Sequence, residues 1–259
     1  MLKRCTGEEE RDLYPLTWRF LKGRLRHAMV PREKAIMEEL IGEVRPLSDG
    51  EILVRRGEVA GSSSMLIEGF MLRAIDLSGR RSAVSLHVPG DFVDLHAYAL
   101  KRLDHDVVAS GECKIGLVDH LRLDEVLQTE PHLTRLLWFS TLLDAAIHRE
   151  WIGKLEQLQA AQRVAHIFAE IWYRLNMVDL GSEKVIRTPL TQAVLAQMCG
   201  ITSIHMNRAL GQLRREGIAD FRRGTLYTED RTRLEAFGAF DPSYLYGDEG
   251  LGVQDELSR

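Results

Sequence analysis

The chain has 259 residues, enough for one large or two ordinary domains, and its formal net charge of −4 at pH 7 excludes a general polyanion binder. Three widely spaced cysteines make no metal-ligand pair and no disulfide framework, and no apolar run approaches the ~18 residues of a membrane span. Because the N-terminus is also too polar for a signal peptide, we expect a cytoplasmic protein without membrane contact. Any nucleic-acid surface on this acidic chain must be a local basic patch.

The first predicted element is an N-terminal extension over residues 1–25. Its apolar residues indicate a helix that packs on another part of the molecule; they are Trp18, Phe20, Leu21 and Leu25. The stretch from Pro31 to Ile41 then predicts a helix with proline in its first turn and one apolar side.

Short strands separated by glycine turns are predicted between Val44 and about Val118. Turns are expected at Asp49-Gly50, at residues 77–80 and at residues 89–91, and two strands are expected about Gly69. Many short strands at regular spacing predict an antiparallel barrel or roll. We assign residues 26–125 to this domain.

The pattern from Leu121 to Asn176 is helical. One apolar stripe recurs at intervals of three, four and seven residues, and it includes Leu133, Leu136, Leu143, Ile147 and Trp151. A single helix has nothing of its own against which to bury such a stripe, so we predict that residues 126–153 form a dimer interface, with a break near Gly153. A second helix is predicted over residues 155–175. Residues 241–259 are expected to form a solvated acidic tail, in which Tyr244, Leu245 and Tyr246 are able to dock.

Residues 189–218 predict two short helices joined by a tight turn. Thr191 is a good N-cap for the first, Gly200 stops it at a position that needs positive φ, and Thr202 caps the second. The apolar face of the second helix is formed by Met206, Leu210 and Leu213. The residues that fall away from that face are Ser203, Ile204, Asn207 and Arg208. The pattern is typical of a DNA-reading helix-turn-helix, although an ordinary helical hairpin with a solvated face has the same spacing.

A small hairpin with arginines at its tip follows the second helix. Residues 221–227 predict two strands that turn near Gly224, which is the form of a wing. Between Arg208 and Arg223 there are five arginines and two acidic residues. Such a local basic patch favours contact with a phosphate backbone.

The segment LTQAVLAQMCGITSIHMNRALGQLRREGI resembles the winged helix-turn-helix of the Crp/Fnr transcription regulators, and the resemblance extends from about Arg26 to Phe237. It implies an α+β fold with three parts: an N-terminal antiparallel β-roll like a cyclic-nucleotide-binding domain, a long dimerisation helix, and a winged helix-turn-helix over residues 154–240. It also implies a homodimer on a palindromic double-stranded DNA operator, with RNA polymerase and an unknown small-molecule effector as candidate partners.

The resemblance also implies which residues contact DNA. We expect contacts from Thr191, Thr202, Ser203, Ile204, His205, Asn207, Arg208, Arg222 and Arg223. Arg208 matches a position where arginine donates to guanine, and Ser203 and Ile204 match two further base-reading positions. The position of Ile204 is often a glutamate in the family. Isoleucine cannot accept a hydrogen bond from cytosine, so readout there must differ.

The predicted roll lacks the residues that bind cyclic AMP in the Crp/Fnr family. In the family an Arg-Ser or Arg-Thr pair holds the cyclic phosphate and a glutamate holds the ribose. Alignment places Leu103 and Asp104 at the pair and Leu95 at the glutamate, with Arg102 one residue away. The effector-pocket candidates are Leu95, His96, Arg102, Leu103 and Asp104. An iron–sulfur cluster needs about four thiolates. Cys5 and Cys113 are not enough, and Cys113 is expected to be a small buried strand residue.

Histidines near the roll permit one rival interpretation. His87, His96 and His105 lie among several aspartates and indicate either a metal or haem site or, as we favour, surface and pocket-rim residues. A cupin-like metalloenzyme needs a His-x-His pair, which occurs nowhere in the chain. We therefore expect no metal, no cofactor and no catalytic residues. Another effector, such as a metabolite, haem or nitric oxide, remains an alternative ligand of the roll.

Overall fold

The structure is a computed structural model that describes residues 7–247, so Cys5 and the acidic residues 248–259 lie outside the described residues. Its helices are α1 (Gly7–Leu13), α2 (Pro31–Leu40), α3 (Ala97–Leu100), α4 (His120–Thr129), α5 (Pro131–Gln157), α6 (Ala160–Met177), α7 (Gln192–Met198), α8 (Ser203–Arg215) and α9 (Arg231–Phe237). Its strands are β1 (Glu43–Leu47), β2 (Ile52–Val54), β3 (Ser62–Leu77), β4 (Arg80–His87), β5 (Asp106–Asp119), β6 (Val185–Arg187), β7 (Asp220–Arg222) and β8 (Thr225–Tyr227). The predicted α+β class is confirmed.

An antiparallel sheet of five strands forms the N-terminal domain. β5 pairs with β3 on one side and with both β1 and β2 on the other, and β4 extends the sheet beyond β3. The hairpin between β3 and β4 turns at Ser78 and Gly79, which both have positive φ, as a type I′ turn requires. The predicted turn at residues 77–80 is therefore correct.

The longest strand, β3, is continuous where the sequence predicted a break. β3 runs straight through Gly69, and the β3–β5 register shifts on each side of Glu68. Gly69 has a φ of +89°, and a Cβ there would lie 2.9 Å from the Cα of Cys113. Only glycine fits this bulge, which bends the strand without ending it.

The long helix α5 is a central element of the core. Its 27 residues span about 40 Å. The N-terminal half packs in one hydrophobic cluster with Phe20, Met37 and Phe92, and the C-terminal half packs in another with α6 and the helices that follow it. Gly153 lies inside α5, so the predicted break is wrong; the chain instead turns at Leu158 and Gln159.

This packing corrects the predicted dimer interface. All five predicted interface residues have an exposure of 6% or less within a single chain; they are Leu133, Leu136, Leu143, Ile147 and Trp151. The prediction assumed that the stripe had no partner in its own chain. Its partners are the N-terminal segment, the roll and α6, which come from distant parts of the sequence.

The N-terminal extension packs tightly on the rest of the molecule. Phe20, Leu21 and Leu25 are each 5% exposed or less. Gly90, with a φ of +98°, lies against this segment: a Cβ there would be 2.7 Å from the carbonyl carbon of Arg19. A Cβ at Gly23 would likewise be 2.8 Å from the Cβ of Met177 at the end of α6. Residues 19–24 therefore lie between the roll and α6.

A buried ion-pair network joins the roll to the C-terminal domain. Arg174 of α6 donates to Asp91 in the turn after β4 at 2.7 Å and to Glu170 at 3.1 Å. Glu170 also accepts from the Trp151 indole on α5 at 2.9 Å and from the Tyr244 hydroxyl at 2.7 Å. Although burial raises the pKa of Glu170, Arg174 and Lys154 outweigh it and hold the pKa below its usual value. The carboxylate therefore stays ionised.

The end of the described chain docks on α5 and α6, as the prediction allowed for Tyr244, Leu245 and Tyr246. A short 3₁₀ helix covers Pro242–Leu245, and Leu245 is 0% exposed. Its carbonyl accepts from Arg24 at 2.8 Å. The prediction of a solvated tail from Asp241 is therefore wrong for residues 241–247. Among residues 7–247, no helix is both long and apolar enough to cross a membrane.

Candidate nucleic-acid interface

The two helices α7 and α8 are capped as predicted. The Thr191 hydroxyl accepts from the Val194 amide at 3.2 Å, and the Thr202 hydroxyl accepts from the His205 amide at 3.3 Å. These caps satisfy backbone donors that a helix start leaves free. Gly200 between the helices has a φ of +63°, so the expected left-handed turn residue is also confirmed.

One face of α8 packs inward and the other is free. Met206, Ala209, Leu210 and Leu213 are buried against α6 and α7. The exposed residues of the first turns of α8 are Ser203, Ile204, His205, Asn207 and Arg208. Among these side chains, His205 forms a hydrogen bond with the residue that caps its own helix: its Nδ1 lies 3.0 Å from the Thr202 hydroxyl. Within the described part of the chain, no side chain or backbone group hydrogen-bonds to the Arg208 guanidinium.

The wing is a three-stranded sheet rather than a simple hairpin. β7 and β8 pair as predicted, and β6, which the sequence analysis missed, pairs with β8. The tip residues Arg223 and Gly224 both have positive φ, the requirement of a type I′ turn. Thr188, which follows β6, donates its amide to the Gly224 carbonyl at 2.7 Å and fixes the tip beside the start of α7. The two adjacent β-branched residues Val185 and Ile186 were the signal that could have indicated β6.

The five arginines of the basic patch are not equivalent. Arg214 and Arg222 share the Asp220 carboxylate, each at 2.8 Å. Within residues 7–247, Arg208, Arg215 and Arg223 make no ion pair. An exposed ion pair contributes only about 0–1 kcal/mol to stability, so Arg222 can exchange Asp220 for a phosphate. To do so, Arg222 must first give up its ion pair with Asp220.

A cleft of about 280 Å³ separates the wing tip from the start of α7. It is lined by Thr188, Pro189, Leu190, Thr191, Gln192, Phe221, Arg223 and Gly224. Arg223 supplies the positive charge of this cleft. Gln192 is exposed at the start of α7, and the sequence analysis did not single it out.

The effector-pocket candidates of the roll do not come together. Leu103 is 2% exposed in the core of the roll, and Leu95 packs on the cluster around α5. Arg102 lies at the surface and donates to the Gly57 carbonyl at 2.6 Å. The Asp104 side chain is 85% exposed and pairs with His105 at 2.7 Å. Leu95 and His96 share a cavity of about 10 Å³.

The histidines of the roll are more buried than expected. His87 and His105 are 3% and 6% exposed, so the predicted surface or rim positions are wrong for both. Burial, reinforced by the positive charge of Arg73, lowers the pKa of His96 to about 4. No cluster of three or more histidine, cysteine, aspartate or glutamate side chains suited to a metal occurs within residues 7–247. Cys113 is a buried strand residue, as predicted, and its thiol donates to the Phe70 carbonyl at 2.9 Å.

Comparisons with known proteins match both halves of this architecture. Residues 162–237 match the family model of the Crp-like helix-turn-helix domain. The transcriptional activator protein FnrL of Cereibacter sphaeroides is 26% identical over 214 residues, which are 80% of this chain and 84% of that protein. The nitrogen fixation regulation protein FixK of Bradyrhizobium diazoefficiens is 23% identical over 203 residues, 78% of this chain and 84% of that protein.

A solved structure gives the same fold. The structure of FixK2 from Bradyrhizobium japonicum superimposes with a TM-score of 0.70 at 22% identity and covers 77% of this chain and 98% of its own. The family model, the matched regulators and the capped, exposed α8 agree with one another. Residues 162–237 therefore form a Crp-like helix-turn-helix domain, and the chain is a DNA-binding transcription regulator that is similar over most of its length to Crp/Fnr-type regulators.

Proposed function

We propose that this regulator is a cytoplasmic, non-catalytic homodimer that reads a palindromic operator through α8 and does not bind cyclic AMP. One observation carries the proposal. The polar start of α8 is exposed beside the wing tip, and Arg208 on that face has no partner within the described residues. An unpaired guanidinium on a recognition helix is free to bond to a base.

Base readout is assigned to Arg208, with Ser203 and Ile204 beside it. The guanidinium fork matches the O6 and N7 acceptors of guanine. Ile204 is 66% exposed and packs on no core, so it is available to contact a thymine methyl. Asn207 and His205 are placed for a base edge or a phosphate.

Phosphate contact is assigned to Arg223 and Arg222, supported by the capped starts of α7 and α8 at Thr191 and Thr202. Arg223 is unpaired at the wing tip, whereas Arg222 is paired with Asp220. Contacts to phosphate position the protein without reading sequence. We therefore expect Arg223 to contribute similarly on every DNA.

The exposed face of α5 supplies a dimer seam, which replaces the interface predicted from the sequence. Trp138, Leu142 and Ile152 are 64%, 52% and 65% exposed. With Ala145 and Arg149 they recur at intervals of four and three residues, the heptad spacing of a coiled coil. Large apolar side chains in such a row on a long helix are typical of an interface between copies.

The positions of the candidate residues support the proposal that the roll has no cyclic-nucleotide site. A phosphate needs donors that converge on it. Here Leu103 is buried in the core, Asp104 would repel the phosphate, and Arg102 is held at the surface by the Gly57 carbonyl. Any effector of this protein therefore binds through other residues.

Leu142→Asp should convert the protein to monomers, because it places a charge in the apolar seam. Operator affinity should fall, since each subunit then reads one half-site. Sedimentation equilibrium and operator titration measure the two effects. The control is Leu121→Asp, which changes a leucine that is 83% exposed on α4. The proposed seam is contradicted if the Leu142→Asp variant stays a dimer with unchanged operator affinity. It is also contradicted if both variants are monomers.

Arg208→Ala should cost about 1–3 kcal/mol on the selected operator and relax preference at one guanine in each half-site. Arg223→Ala should weaken selected and random DNA alike and reduce the salt slope by about one. Fluorescence anisotropy on both DNAs at several salt concentrations separates these patterns. If Arg208→Ala lowers affinity equally on both DNAs, Arg208 contacts a phosphate rather than a base. The register assigned here to the recognition helix would then be wrong.

Cyclic AMP and cyclic GMP should produce no binding heat at micromolar concentrations in calorimetry of the full chain. The reason is the missing pair at Leu103 and Asp104 and the missing glutamate at Leu95. Saturable heat that Arg102→Gln abolishes would show that Arg102 moves into the roll and would overturn this part of the proposal.

A further inference from the structure

A small cavity lies where the N-terminal segment, the roll, α5 and the end of α6 meet. Its volume is about 30 Å³, which by the usual measure holds about two water-sized groups. The residues that line it are Arg19, Phe20, Leu21, Arg24, His87, Gly90, Asp91, Phe92, Ser140, Leu143, Asp144, Ile147, Arg174 and Val178. Three of these are arginines and two are aspartates.

Both aspartates already have a guanidinium partner. Asp91 accepts from Arg174 at 2.7 Å. Asp144 is paired with Arg73, whose own charge lies outside the cavity lining. The two remaining arginines, Arg19 and Arg24, are therefore the positive charges of the cavity that form no ion pair with its carboxylates.

Arg19 and Arg24 are held in the same way. The Nε of Arg19 donates to the Val178 carbonyl at 3.1 Å, and the Nε of Arg24 donates to the Leu245 carbonyl at 2.8 Å. Within residues 7–247, no carboxylate lies within 4.0 Å of either guanidinium, and no acceptor bonds to the Nη groups of either one. Each arginine is anchored through its Nε, the Arg19 guanidinium also stacks on the Trp18 ring at 4.1 Å, and the Nη donors of both have no acceptor among these residues.

Arg24 is the stronger indication of a ligand because it is only 5% exposed. Burial lowers its pKa to about 10, so the guanidinium is still charged at neutral pH. Asp91 attracts this charge from beyond 4.0 Å without bonding to it, and a buried guanidinium whose Nη groups have no acceptor is costly. The free Nη groups of a guanidinium match the geometry of a carboxylate, phosphate or sulfate.

We propose that this cavity binds a compact oxyanion, which bridges Arg19 and Arg24 of the N-terminal segment beside the Arg174–Asp91 pair. A cavity of about 30 Å³ admits about two oxygens of an oxyanion such as inorganic phosphate, sulfate or a short carboxylate, rather than the whole ion, and it excludes a nucleotide. An ion bound there touches the N-terminal segment, the roll and α6 together. Its binding free energy therefore stabilises the packing of the C-terminal domain on the roll.

The test is calorimetry of the full chain with sodium phosphate, sodium sulfate and sodium acetate in separate titrations, with chloride keeping the ionic strength constant. At least one of the three should bind saturably with one site per chain, and it should raise the thermal midpoint in a melting experiment. The three titrations distinguish phosphate-like ions from carboxylates. Chloride alone, which cannot bridge two guanidinium groups through separate oxygens, should give neither effect.

Arg24→Gln removes the charge but keeps a donor for the Leu245 carbonyl, and it should weaken binding about ten-fold or more. Arg24→Lys should give an intermediate loss, because it keeps the charge without the fork. The matched control is Arg122→Gln, which changes an exposed arginine that also donates to a carbonyl, that of Glu39 at 2.6 Å. If Arg24→Gln does not fold, Arg19→Gln at the half-buried neighbour provides the same measurement.

The proposal is overturned if none of the three anions binds saturably to the wild-type chain. It is equally overturned if Arg24→Gln and Arg19→Gln bind as tightly as the wild type, or if Arg122→Gln loses as much affinity as they do. Loss of binding in Arg102→Gln alone would place the anion at the surface of the roll and would also contradict the assignment. None of these measurements uses DNA, so their outcome is independent of the operator experiments.

Discussion

The buried guanidinium of Arg174 is the interaction on which the arrangement of the two domains depends. It bonds to Asp91 from the roll and to Glu170 from its own helix, and Glu170 in turn holds Trp151 and Tyr244. A buried charge that loses one partner costs about 3–5 kcal/mol. The C-terminal domain therefore cannot leave the roll without breaking an ion pair that water would have to replace. Since α8 packs on α6, this pair fixes where α8 lies relative to the roll.

The long helix α5 has two apolar faces, and the difference between them explains the main error of the sequence analysis. The stripe with the best periodicity, represented by Leu136 and Leu143, is buried in the chain's own core. The weaker row around Trp138 and Leu142 is the one left exposed. Periodicity shows that a face is buried, but it does not show by what, because the covering segments come from distant sequence.

Local rules predicted the DNA-binding unit well. The caps at Thr191 and Thr202 and the positive φ of Gly200 are consequences of side-chain and backbone chemistry within a few residues. Distant contacts were not predictable in the same way. The third strand β6 and the position of Arg24 against the Leu245 carbonyl both depend on which surfaces meet after folding. Glycine was ambiguous for a related reason: Gly69 bends a continuous strand, whereas Gly79 ends one.

The measurement that tests the central claim most directly is selection of DNA bound by the full-length protein from a random pool, followed by sequencing. We predict that one motif is enriched, with two inverted half-sites about one helical turn apart and a guanine in each, because a symmetric dimer presents two copies of α8. Enrichment of a single half-site would contradict the dimer, and a pool that stays random after several rounds would contradict sequence-specific DNA binding through α8.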